Sequence, residues 1–256
     1  MAGRSVRTWW STVFVVAAFA SAGSAQTPVD PQVREQNWAR CADDDPDISI
    51  PACTALIDSG IEEGEDLITA IANRAISYGQ KREWNEAIVD YERAFALNTE
   101  NADIRQILTR ALLNRGAGLF GDAKYDEAMR DFERSTKVNP DESLAWAWVG
   151  AVHDIRGQYD LAIVSLDTSV KLNPRNTGAW FYRGVAYYGK AQYPRAIEDF
   201  DAALKVAPSF PLALFARGVT RQRTGDAAGA ETDMTAAKTI QADIATDLAK
   251  LKIVPR

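Results

Sequence analysis

Apolar and small residues recur along most of this chain at the three- and four-residue intervals that line one face of an α-helix. Ala87 and Tyr91, Ala128 and Phe132, and Ala196 and Phe200 each stand four residues apart. Each such pair shares a helix face. Asn139-Pro140, Asn173-Pro174 and Ala207-Pro208 fall where these apolar stripes end, and proline restrains the residue before it and marks the next turn. Gly121, Gly157, Gly189 and Gly225 lie near the turns expected inside each helix pair, where they ease chain reversal. The pattern predicts an all-α chain of short antiparallel helices.

The helix pairs repeat. The segment from Ser143 and the segment from Thr177 align at a constant 34-residue offset. Trp146 matches Trp180, Gly150 matches Gly184, Tyr159 matches Tyr193, Ala162 matches Ala196, Leu166 matches Phe200, and Pro174 matches Pro208. A unit from Thr109 supplies Leu112, Gly116, Tyr125, Ala128, Phe132 and Pro140. A unit from Pro211 supplies Leu214, Gly218, Ala230, Met234 and Ala237, and one from Ile68 supplies Ala75, Trp84, Ala87, Tyr91 and Ala94. Self-similarity at such a period is the mark of a stacked array.

In its order of large residue, small residue, aromatic, alanine and proline, the pattern resembles the tetratricopeptide repeat over roughly residues 68–244. The resemblance implies a right-handed α-solenoid of stacked antiparallel helix pairs. The expected units are 68–101, 109–142, 143–176, 177–210 and a degenerate 211–244, with an insertion at 102–108. That insertion either extends the next helix or forms a short extra one. Residues 245–256 form a C-terminal capping helix and tail, with Ile244, Leu248, Leu251 and Ile253 spaced to cover the open end of the stack. In this family the second, fifth, ninth and twelfth residues of each unit face a concave groove. Carried over, they include Thr69, Ala72, Ile76, Arg110, Leu113, Ala117, Phe120, Leu144, Ala147, Ala151, Asp154, Phe181, Val185, Tyr188, Leu212 and Phe215. Most are apolar, so the implied ligand is a peptide or protein segment, or else the groove is filled by the chain's own ends or a second copy.

Residues 26–67 read as a helical cap of a different kind. Asp30-Pro31 starts one helix, and Ser49 is a candidate cap for the next, with Pro51 in its first turn. Cys41 and Cys53 are the only cysteines, and they either form one disulfide or remain buried free thiols. Residues 1–25 combine Arg4 and Arg7, an apolar run from about Trp9 to Ala22, and small residues ending at Ala25. This is the pattern of a signal peptide, cut after Ala25 or Ala22; an uncleaved anchor is the alternative. The apolar run falls short of the ~20 residues a spanning helix needs. A periplasmic or secreted protein is expected, with no stable membrane span after cleavage.

Composition narrows the chemistry. The formal net charge is -6 and no basic block stands out, which argues against nucleic acid. Two cysteines without a nearby histidine do not make a metal site. The single histidine, His153, has the expectation of a packing or hydrogen-bonding role, and Asp43, Asp44, Asp45 and Asp47 that of a solvated turn. No enzymatic motif and no cofactor site is recognised. Arg74, Arg115, Arg183 and Arg217 recur one residue before the repeat's small position, and Asp90, Asp131, Asp199 and Asp233 recur in the second helices. The third unit carries Val149 and Ser165 in their place. The joint loss predicts that the two series pair with each other. The expected function is an exported scaffold that holds a peptide or protein in its groove, or a self-associating structural or envelope-assembly protein.

Overall fold

The computed structural model describes residues 30–253, whose regular secondary structure is all helical, with no strand among the described residues. The predicted signal peptide lies outside the described residues. Helices α1 (Pro31–Cys41) and α2 (Pro46–Ser59) form the first pair. They are followed by α3 (Gly64–Gln80) with α4 (Trp84–Leu97), α5 (Ala102–Gly121) with α6 (Tyr125–Val138), and α7 (Ser143–Ile155) with α8 (Tyr159–Leu172). Then come α9 (Thr177–Gly189) with α10 (Tyr193–Val206), α11 (Pro211–Thr224) with α12 (Ala227–Ile240), and a single last helix, α13 (Ile244–Lys250).

The five pairs from α3–α4 to α11–α12 close on a shared alanine contact. Ala87, Ala128, Ala162, Ala196 and Ala230 are all buried where the paired helices meet. The small residue opposite is equally constrained. A β-carbon on Gly184 would stand 2.6 Å from the Phe200 ring, and one on Gly116 would stand 2.6 Å from that of Phe132. The glycine thus lets the aromatic of the second helix lie flat on the first. One residue earlier, Arg74, Arg115, Arg183 and Arg217 each grip the aspartate sixteen residues on (Asp90, Asp131, Asp199 and Asp233) through Nε and Nη2. The pairing expected from the joint substitution in the third unit is the one observed.

Successive pairs are tied by the arginine's remaining nitrogen. Nη1 of Arg183 donates to Asp167, that of Arg217 to Asp201, and that of Arg115 to Asn85, each in the preceding pair. The Nη1 of Arg74 reaches Thr54 on α2, so the α1–α2 pair serves as the layer before the first repeat. Trp146 and Trp180 add a second tie, each donating its indole N–H to the carbonyl of Pro140 or Pro174 at 2.8 Å.

The turns lie at or beside the four glycines, but their left-handed position follows the repeat rather than the glycine. In the five pairs from α3–α4 to α11–α12 the left-handed turn residue is Arg82, Ala123, Gly157, Ala191 and Gly225, a strictly periodic series once the insertion is allowed for. Only two of these are glycines. Gly121 and Gly189 are instead the last helical residues, and Gly189 leaves room for the ring of Tyr159. Non-glycine residues accept the left-handed conformation here because the turn is bracketed by regular hydrogen bonds, such as Lys124 N–H to the Leu119 carbonyl and Gln192 N–H to that of Tyr187.

Ser49 is not a cap. Helix α2 begins at Pro46, with Asp45 as N-cap accepting from the Asp47 N–H, so Ser49 and Pro51 lie inside the helix. Ser49 is buried, and its hydroxyl donates to the Cys41 carbonyl at 2.9 Å. Cys41 and Cys53 form a disulfide across α1 and α2, with sulfurs 2.06 Å apart. The insertion extends a helix: α5 runs continuously for 20 residues, with Asn101 capping the Ile104 N–H.

Candidate protein-binding groove

The first helices of successive pairs, α5, α7, α9 and α11, pack on one another as well as on their partners. The second helices make no comparable row. The array therefore closes on the side of the first helices, which form its inner, concave face. No comparable contact joins α3 to α5, so the inner row is interrupted at the inserted turn of α5.

Two halves of this face differ. Near its N-terminal end the carried-over positions remain accessible. Arg110 is exposed, Ile76 and Leu144 are 40% and 44% exposed, and Ala72, Ala117 and Phe120 are partly so. Phe120 is held edge-on against Tyr125 and Trp148. Leu113 and Ala147 are buried between neighbouring first helices, and Ala151 is fully enclosed. These small and aliphatic residues are packing between layers, not free lining.

In the C-terminal half the expected open groove is filled. Phe181 and Phe215 are each only 1% exposed, and Val185 and Val219 are equally buried. They share one apolar cluster with Ile244 and Leu248 of α13 and with Ile253 beyond it, all three fully enclosed. Leu212, Tyr188 and Leu251 border that cluster. Helix α13 packs on α11. Past α13 the chain runs back across the first helices, because Lys252 Nζ lies 3.8 Å from where a β-carbon on Gly157 would stand, just beyond α7. Of the occupants expected for the groove, the chain's own C-terminal end is the one that covers Phe181, Val185 and Phe215 in this structure. Their periodic placement on the inner face was legible, but the last ten described residues fold over it. The apolar spacing of Ile244, Leu248, Leu251 and Ile253 pointed to a terminal cover over the end of the stack, and the groove's filling by the chain's own ends was the alternative to a ligand; here one segment covers the inner face.

The same face carries an isolated carboxyl. Asp154, near the end of α7, is buried, and neither side-chain oxygen has a hydrogen-bond partner. Desolvation pushes its pKa up to about 9, so it holds a proton at neutral pH. Its neighbour His153 faces elsewhere, with Nδ1 2.7 Å from Oε1 of Gln158. A cleft of about 540 Å³ opens between α4 and α6. It is lined by charges of both signs, including Arg82, Arg130, Lys124 and Glu127, with Arg115 already committed to Asp131 and Asn85. Among the described residues no group of three or more His, Cys, Asp or Glu is placed to hold a metal ion. Before α2, Asp43 accepts from the Asp45 N–H, and in the first turn of α2 Asp47 pairs with Lys81. No described helix is long and apolar enough to cross a membrane.

A face of stacked first helices that already seats an apolar segment is one that can hold a peptide or protein. Comparison with known proteins agrees at the level of fold. Two models described as tetratricopeptide repeat match, over residues 113–166 and 178–210. No curated protein matches the sequence at a significant level. The chain is similar in fold to the crystal structure of YrrB, described as a TPR protein with an unusual peptide-binding site (22% identity, 78% of this chain and 98% of that one, TM-score 0.55). It is also similar to a crystal structure of MamA (17% identity, 67% and 96% of the two chains, TM-score 0.52) and to a MamA RS-1 double mutant (21% identity, 70% and 96%, TM-score 0.55). With its arginine–aspartate ladder, its glycine–aromatic contacts and the two matching models, the chain carries tetratricopeptide repeats, matched over residues 113–166 and 178–210.

Proposed function

We propose that this protein is a non-catalytic assembly scaffold, exported to the periplasm or secreted, whose copies associate with one another through apolar helical segments. One observation carries the reading. The groove formed by Phe181, Val185, Phe215 and Val219 is seated by Ile244, Leu248 and Ile253, a segment that every copy carries. An inner face shaped for a helix of this chain is shaped for the same helix of another copy. The disulfide between Cys41 and Cys53 suits an oxidising compartment, in keeping with the N-terminal pattern of an exported chain.

Sedimentation equilibrium of the purified protein over a hundredfold range of concentration tests the reading. A mass that rises with concentration supports self-association. A single monomeric mass throughout removes it.

A second reading is favoured by a separate observation. Ile76, Leu144, Ala72 and Phe120 on the N-terminal half of the inner face are accessible. A peptide of a different protein seated there fits these residues, and the likeness in fold to YrrB, a TPR protein with an unusual peptide-binding site, makes the comparison apt.

A further inference from the structure

We infer that the segment Ile244–Ile253 exchanges between copies, each copy's segment seating in the inner groove of the other. The inference rests on the self-association proposed above and names the surface and the partner that accomplish it.

The segment is built as a separable ligand. Its helix α13 has seven residues, too few to be stable alone in water, so it is helical because the groove holds it. Ile244, Leu248 and Ile253 are fully buried, and every one is buried in the cluster that also contains Phe181, Val185, Phe215 and Val219. Other first helices lean on the second helix of the preceding pair, as α9 does on α8 and α11 on α10. Helix α13 makes its main contact with α11 instead, so it is joined to α12 chiefly through the connector.

That connector is short. Only Gln241, Ala242 and Asp243 separate Ile240 from Ile244. Short hinge connections favour exchange between identical chains, because the exchanged form keeps every groove contact and need only straighten the connector. Release without exchange is costly by comparison. It would expose three enclosed aliphatic side chains and uncover Phe181 and Phe215 together. A second copy's segment is the one occupant that restores all of these contacts at once.

The experiment uses the full chain in two forms, unlabelled wild type and an isotope-labelled Leu248→Asp variant. The substitution places a carboxylate in the enclosed cluster, so the variant's own segment leaves its groove while the chain length is kept. The two forms are concentrated together, diluted, and weighed by native mass spectrometry. A synthetic peptide of residues 241–256 is titrated onto the variant in parallel. The expected result is a mixed dimer of wild type and variant, loss of self-association in the variant alone, and capture of the peptide by the variant. Circular dichroism establishes that the variant is folded, and Ile253→Asp serves as the replacement if it is not. Exchange is overturned if the variant captures the peptide yet never joins wild type, since the segment then acts only within its own chain. If the variant self-associates as wild type does and captures no peptide, copies meet through another surface, and exchange fails while self-association stands. If wild type never associates, both fail.

Discussion

The guanidinium of Arg183 holds both carboxylate oxygens of Asp199, at 2.8 Å from Nε to Oδ2 and 2.7 Å from Nη2 to Oδ1. Asp199 is nearly enclosed, and Arg183 also reaches Asp167 in the preceding pair. The contact closes one pair and fastens it to the next. Removing one partner leaves a buried charge without compensation, which costs about 3–5 kcal/mol, whereas replacing both with apolar groups of similar volume is near neutral. Arg183→Met is expected to lower the unfolding free energy by about that amount, and Arg183→Met with Asp199→Leu to recover most of it. Urea denaturation of the two variants checks this. The natural Val149 and Ser165 of the third unit already point the same way, because both charges are absent there together.

Asp154 makes stability depend on pH. In the folded protein its carboxyl keeps its proton up to about 9, whereas an ordinary aspartate loses it near 3.8. Between these values the folded state binds more protons than the unfolded chain. Stability contributed by the protonated group is therefore full below about 3.8 and is lost as pH rises toward 9, at up to about 1.4 kcal/mol per pH unit. Thermal melts at pH 5 and pH 8.5 are expected to show a lower midpoint at the higher pH, and Asp154→Asn to flatten the difference. An unchanged pH dependence in the variant would show that other groups control it.

Phe215 is now a core residue as well as a groove residue. Phe215→Ala is expected to cost about 3–5 kcal/mol, as for other enclosed aromatics. Because Ile244 and Leu248 share its cluster, the variant is also expected to be cut by protease near residues 241–253 faster than wild type. Limited proteolysis followed by mass spectrometry reads both the rate and the position of cleavage. Faster cutting elsewhere with residues 241–253 still protected would contradict the placement of α13.

The disulfide should act on the first layer. Cys41 and Cys53 close a loop of 12 residues, for which a stabilisation of roughly 2–4 kcal/mol is usual. Replacing both with serine is expected to raise amide hydrogen exchange in α1 and α2 and to leave α9 to α12 protected. Repeat arrays carry stability from neighbour to neighbour, so a loss at one end fades along the stack. Uniformly faster exchange would show that the whole array unfolds as one unit.

What the chain's sequence determined by itself was whatever is repeated locally. The 34-residue register, the alanine and aromatic pairs, the proline stops and the coupled arginine and aspartate series each reflect contacts made within a pair or between neighbours. Such contacts recur at fixed separations, and recurrence makes them legible. The start of α2 at Pro46 was not read correctly, because Asp45 and Ser49 are both good capping residues and only the packing of Ser49 against Cys41 places it inside the helix. The turn residues Arg82, Ala123 and Ala191 carry no left-handed signature of their own, since the surrounding hydrogen bonds impose the conformation. The state of the groove was a matter for the tertiary structure alone. Phe181 and Phe215 have the same sequence pattern whether they face water or Ile244 and Leu248, and the direction taken by a short terminal helix after a three-residue connector is set by which apolar surface it can cover. That choice occurs once in the chain, so no repeat announces it, and burial of the exposed inner face decides it.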